Sequence, residues 1–297
     1  MTAAVTPVGT NAEALAADSR RERRRAFFLT SPAALLIAVV VFVPVGWLFW
    51  LSLFDPEGAL TAENYTRMLG SPAYVKTFKT TFEVSFVVTA VCVLIGYPLA
   101  YLLSQLPARA ANVCMVFVLL PFWTSLLVRT YAWLVLLQRK GLINTWLIDL
   151  GVIEQPLRLV HNFTGTVIGM VHILLPFLVL PLYAAMRSID RDLIRAAANL
   201  GSSPVGAFWR VFFPLSLPGL FAGVVLVFVL CLGFYVTPAL LGGGRVQMWA
   251  MRIESSVNLY ANWGAASALG VVLLIVTLVL LWALNKLFGL ERVFSGR

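Results

Sequence analysis

Long apolar blocks, almost free of charge, fill most of this chain. Crossing about 30 Å of hydrocarbon takes about 20 helical residues, and a helix keeps its backbone polar groups satisfied there. Six blocks reach that length: Ala26 to Phe54, Val84 to Ala108, Ala110 to Gln138, Leu159 to Met186, Val211 to Gly244 and Ser255 to Asn285. The third is broken only by Arg129. Helical spans are expected at about 29–54, 80–106, 111–138, 162–185, 213–241 and 264–286. The fold class this predicts is all-α, a polytopic membrane protein with six transmembrane helices.

Composition supports the same class. Of 297 residues, 60% are apolar and 12% charged, whereas a soluble domain averages about 45–50% and about 25%. Disordered, collagen-like and disulfide-scaffold classes are excluded. Cys92, Cys114 and Cys231 all lie inside apolar blocks, where a thiol acts as a small hydrophobe. The net charge of +9 is spread between the blocks and forms no continuous basic face, so no nucleic-acid partner is expected.

Six spans put both ends of the chain on one side. Thirteen Lys and Arg fall on that side and eight on the other, Arg129 aside, which makes both termini cytoplasmic by the positive-inside rule. Residues 1–25 read as a disordered basic tail, its Met1 to Ala17 portion rich in Ala, Thr and Val, and the first span as an uncleaved signal anchor. The six-span body then occupies residues 26–290. Between the third and fourth spans, Leu142, Ile143, Trp146, Leu147 and Leu150 repeat at helical spacing, a pattern for an interfacial helix.

The loop at 187–214, between spans four and five, carries the most specific pattern. Asp190 suits an N-cap and Gly201 a left-handed C-cap, predicting a short cytoplasmic helix from about Arg191 to Leu200. Leu193, Ala196, Ala197 and Leu200 give it a narrow face of small and apolar residues. Lipid contact favours bulk, whereas a protein groove accepts a close backbone approach, so docking to a protein is the expectation. Ser203 and Pro204 open a second helix whose Val205, Phe208, Trp209 and Phe212 form a bulky face for the membrane boundary.

These residues resemble the signature of binding-protein-dependent ABC importer permeases: Glu-Ala-Ala, three residues, Gly, nine residues, Ile, one residue, Leu-Pro. Ala196, Ala197, Gly201 and Pro214 match it, Val211 and Phe213 are apolar replacements, and Arg195 stands where the family has Glu. Further stretches, Leu120 to Trp133, Gly141 to Asn144, Leu175 to Tyr183 and Val236 to Gly243, look like the spermidine/putrescine permease subgroup. The resemblance implies a coupling helix that docks on an ABC ATPase through Leu193, Arg195, Ala196, Ala197, Leu200, Gly201 and Pro214. It also implies a second permease subunit, similar or identical, and an extracytoplasmic solute-binding protein. The reversed charge at Arg195 means that an ion pair made by the family's Glu does not carry over.

The sequence holds no Gly-x-x-x-x-Gly-Lys-Ser/Thr phosphate loop, so ATP hydrolysis is expected in a separate subunit and this chain is not expected to be an enzyme. No nucleophile elbow, Cys-x-x-Cys pair or His-Glu-x-x-His helix occurs, and no cofactor or metal site is expected. His172, inside the fourth span, reads as a hydrogen-bonded structural residue. Glu83, Trp123, Arg129, Tyr131 and Tyr235 are candidates for a substrate path, because aromatic faces and a carboxylate attract cations. Glu83 and Arg129 lie at similar depth, which permits an ion pair; Glu83 reaching the headgroups is the alternative. Gly165 with Gly169 and Gly219 with Gly223 are candidate packing seams. A self-sufficient secondary transporter, an ABC importer for another small organic solute and a membrane-embedded enzyme are the competing readings. The halves share no repeated motif to favour the first of these, and clustered catalytic groups are missing for the last.

Overall fold

A computed structural model describes the backbone of residues 9–55 and 57–288. The chain divides into two compact units at Leu51 and Ser52. The first unit is one helix, α1 (Gly9–Leu51). It begins inside the stretch expected to be a disordered tail, and residues 1–8 of that tail lie outside the described residues. From Arg25 to Leu51 it is apolar on every side, as a helix facing lipid is.

The second unit is all-helical among its described residues, apart from one isolated bridge between Phe54 and Leu60. In chain order it contains α2 (Glu63–Gly70), α3 (Pro72–Gln105), α4 (Ala108–Leu119), α5 (Leu126–Leu136), α6 (Leu142–Asp149) and α7 (Phe163–Ser188). Then follow α8 (Arg191–Asn199), α9 (Pro204–Ala207), α10 (Phe213–Leu232), α11 (Val236–Leu241), α12 (Trp249–Asn258) and α13 (Trp263–Phe288). A π-helical turn, Phe208–Phe212, makes α9 and α10 one continuous body.

The core is built where α3, α7 and α10 pack against one another. Val88 and Cys92 of α3, Met170, Leu174 and Leu178 of α7, and Val227 and Cys231 of α10 are fully buried there. Glycine permits this approach. A Cβ at Gly223 would lie 2.9 Å from the Leu178 carbonyl oxygen, and one at Gly219 would lie 2.9 Å from that of Pro181. The Gly219/Gly223 pair is therefore a packing seam on α7. Gly169 instead admits α11, through Leu241 and Thr237.

On α3, Thr77, Thr81, Ser85 and Thr89 are buried in a row, each hydroxyl donating to the carbonyl four residues back. This satisfies polar groups that would otherwise be costly in a membrane interior. Two also receive α12: the Thr81 hydroxyl accepts from Trp249 N at 2.8 Å and that of Thr77 from Arg252 Nε at 3.4 Å. Trp249 in turn donates Nε1–H to the Leu269 carbonyl, tying α12 to α13.

Two expected spans change shape. The block at 111–138 is not one straight helix: α4 and the 3-10 turn Leu120–Trp123 meet α5 at a bend of 98°. Five described helices are long and apolar enough to cross a membrane, and the bent pair makes a sixth if it is one span. The fifth expected span, 213–241, stops as a helix at Leu232; Gly233 follows, and Pro238 sits in the first turn of α11, where a missing N–H costs nothing. Pro98, Pro176 and Pro181, by contrast, lie within continuous helices.

Candidate functional site

The loop after α7 folds as its caps dictate. Asp190 Oδ1 accepts from Asp192 N at 2.9 Å and starts α8. Gly201, at φ +85°, ends it in the left-handed region, with Ser202 N donating back to the Ala197 carbonyl. Ser203 Oγ then accepts from Gly206 N at 3.1 Å and starts α9, with Pro204 at the first helical position.

Orientation of α8 is set by Ile194, which packs on a buried cluster of Ala100, Leu103, Val179, Leu182, Met186 and Phe212. With Ile194 inward, the face carrying Leu193 and Ala196 turns outward and Leu200 is 90% exposed. Ala197 is half-buried at its edge. Arg195 points to solvent and pairs within the helix to Asp192 at 2.8 Å. Pro214 is exposed but belongs to the first turn of α10 rather than to the face of α8.

Ile194 was not singled out from the sequence. It lies about 100° around the helix from Leu193, off the alanine face, and its partners on α3 are distant in sequence. The second helix also differs from expectation. Phe212 is buried and Phe208 half-buried, because the π-helical turn brings both rings edge-on to Tyr101, at 5.1 and 5.3 Å. Only Val205 and Trp209 keep the exposed position expected for the membrane boundary. Tyr97 adds a hydroxyl contact to Ser216 at 2.9 Å, so α8 stands on a base shared by α3, α7 and α10.

The candidate path residues separate into groups. Arg129 does not pair with Glu83. Its guanidinium donates to the carbonyls of Pro121 and Thr124 and to Thr124 Oγ1, closing the groups freed at the bend, while Glu83 has Lys79 at 3.8 Å on its own helix. Trp123 and Tyr131 flank the same bend and are exposed, Trp123 by 75%. Below it, Thr130 and Thr237 hydroxyls meet at 3.3 Å, and Trp133 Nε1 donates to His172 Nδ1 at 3.0 Å. These bonds fasten α5 to α11 and α7, and give His172 the structural partner expected of it. Tyr235 lies at the break before α11, near enough to the Glu254 carboxylate to feel its charge. Glu254 accepts from Asn258 at 3.1 Å. It escaped notice because it immediately precedes the last apolar block.

Comparison with known proteins places this geometry. Residues 92–288 match the family described as the binding-protein-dependent transport system inner membrane component. The chain belongs to that family. It is a multi-pass inner-membrane permease subunit of an ABC importer, a transport component. The permease is similar to the spermidine/putrescine transport system permease protein PotB of Haemophilus influenzae, 35% identical over 266 residues, covering 89% of this chain and 91% of that one. PotB of Escherichia coli K12 is 34% identical over 232 residues, covering 77% and 84%. In fold, the permease is similar to a chain of a bacterial alginate ABC transporter crystallised with its alginate pentasaccharide-bound periplasmic protein. The TM-score is 0.72 at 14% identity, over 91% of this chain and 95% of that one.

Proposed function

We propose that this permease forms half of a translocation path for a polyamine of the spermidine/putrescine type. A second permease subunit supplies the other half, a pair of ABC ATPases powers it and an extracytoplasmic solute-binding protein delivers the solute. In this reading the chain crosses the membrane six times, α4 and α5 together making one broken span, and both termini are cytoplasmic. The 35% identity to a spermidine/putrescine permease over most of the chain carries the choice of solute.

The side chains suit that solute. Glu83 and Glu254 supply negative charge, and Trp123, Tyr131 and Tyr235 supply faces that attract a cation weakly, at about 0.5–2 kcal/mol each. Weak contacts suit a conduit that must release what it admits. ATP-driven transport further requires that the two conformations differ in their grip on the ATPase, and α8 is the element that transmits this bias. Its exposed Leu193, Ala196 and Leu200 enter an apolar groove of the ATPase, with Arg195, Ala197 and Gly201 at the margin and Pro214 behind.

The test is reconstitution of the purified complex in liposomes with its solute-binding protein inside or outside, measuring ATP-dependent uptake of labelled spermidine. Uptake is expected only with all components present. Leu200→Glu should leave the permease folded but release the ATPase on size-exclusion chromatography. Uptake by this chain alone overturns the importer reading, as does full coupling in the Leu200→Glu protein.

A further inference from the structure

A hollow of about 810 Å³ opens beside α8, where three apolar helices, α3, α7 and the α9–α10 body, reach their ends. Its floor is aromatic and apolar, with Tyr101, Met186 and Phe208 among the lining residues. Its rim carries Arg187, Arg191 and Arg195, and no Asp or Glu lines it. Of the nearest acids in sequence, Asp190 caps α8 and Asp192 pairs with the rim's own Arg195, while Arg187 and Arg191 have no acid partner among the described residues.

Each guanidinium has five N–H donors in a planar fork. Among the described residues the protein accepts from only one nitrogen of each. Arg187 Nη1 donates to the carbonyls of Ser104 and Leu106 at 3.3 and 3.1 Å. Arg191 Nη2 reaches the Ser104 carbonyl at 3.4 Å, and Arg195 Nη1 reaches Asp192 at 2.8 Å. Capping the end of α3 therefore uses a minority of the donors and does not account for an apolar floor beneath them.

We propose that this hollow binds an anionic phospholipid, its phosphodiester on the arginine forks and the start of its acyl chains on the aromatic floor. A fork of N–H donors matches phosphate oxygens in pairs, and arginine is more weakly hydrated than lysine, so it gives up water readily at such a site. A soluble phosphate has no use for the floor, whereas a lipid uses both parts, and the hollow lies where helices leave the membrane. The lipid then bridges the end of α3 to the start of α8. The stiffness of the coupling helix depends on the acidic lipid content of the bilayer.

The complete transporter, ATPases attached, is exchanged into nanodiscs containing phosphatidylcholine and phosphatidylglycerol, and retained lipid is read by native mass spectrometry after release. Phosphatidylglycerol is expected to be retained over phosphatidylcholine by at least about tenfold. Arg191→Gln should lower that preference about fivefold, roughly the contribution of one basic residue near a membrane surface. Arg191 is chosen because its bond to α3 is the longest of the three, and Arg191→Lys, which keeps the charge and loses the fork, should fall between. Arg109→Gln should change nothing. Equal retention of the two lipids overturns the proposal, as does an equal loss with Arg109→Gln, which marks diffuse surface charge. Full displacement by millimolar inorganic phosphate identifies a soluble-anion site instead, and lipid retained only after the ATPases are stripped off assigns the hollow to a protein partner.

Discussion

Prolines behave differently in two parts of this permease. The helices α7 and α10 contain Pro176, Pro181 and Pro218 in their interiors and remain continuous, whereas the third apolar block turns through 98° at Thr124 and Ser125, just after the 3-10 turn that holds Pro121. The number of prolines does not explain the contrast. Within α7 and α10 the helices press backbone to backbone at Gly219 and Gly223, and packing holds the course of each across its missing hydrogen bonds. Around α4 and α5 the apolar side chains are largely exposed, and the carbonyls of Pro121 and Thr124 find a charged donor in Arg129. A break is stable where something other than the helix satisfies its freed groups.

Substitutions that exchange these two conditions have graded effects. The largest belongs to Gly223→Leu, because the obstacle it meets is the Leu178 backbone, which cannot rotate away. Overpacking in cores costs typically about 1–3 kcal/mol, occasionally more, and contact with fixed backbone puts this variant at the top of that range or beyond. Detergent-solubilised protein should lose its monodisperse peak and its cooperative thermal transition. A wild-type melting curve would show that α7 and α10 do not approach as closely as the glycine seam requires.

Next in size is Arg129→Gln. Hydrogen bonds to a charged group contribute about 1.5–3 kcal/mol each way of counting, and partial exposure of Arg129 puts the expected loss toward the lower figure. The bend should loosen rather than straighten. Spin labels at Val113 and Val135, both exposed, in a background lacking the exposed Cys114, would report a broadened distance distribution. An unchanged narrow distribution would remove Arg129 from its role as the clasp of the bend.

Smaller still is Trp133→Phe, which deletes the bond to His172 and with it one tie between the bent pair and the packed core. Hydrogen bonds between membrane helices average about 0.6 kcal/mol, so the thermal transition should fall by a degree or two and no more. A loss several times greater would mean that α5 depends on the core for its position, and that the two regions are not independent.

Much of this contrast could not be read from the sequence. Length and hydropathy located the apolar blocks, and local capping chemistry located α8 and α9, since Asp190, Gly201, Ser203 and Pro204 act on neighbours a few residues away. What decides the bend is different in kind. Arg129 in an apolar block invites a search for an opposite charge, and Glu83 is an acid at similar depth. Yet neutral carbonyls five and eight residues back absorb the guanidinium. The same limit hid Ile194: its burial depends on side chains from α3 and α7 that sequence spacing does not bring to it. Glu254 was hidden by a boundary: in sequence it bounds an apolar block, and its nearness to Tyr235 arises only in the fold.

The smallest effect is expected from Pro121→Ala, and its smallness is informative. If proline geometry made the bend, alanine would let α4 run on through the 3-10 turn toward α5, and the Val113 to Val135 distance would lengthen. Here the carbonyl of residue 121 stays in place as an acceptor for Arg129 whichever side chain it carries, and Thr124 still offers two acceptors. Alanine also restores an N–H that the turn has no need of, so the gain in helix propensity is spent against three bonds to a charged group. The distance distribution should therefore match the wild type within its width, and combining Pro121→Ala with Arg129→Gln should lengthen it. A straightened pair in the single variant would assign the bend to Pro121 and reduce Arg129 to a passenger.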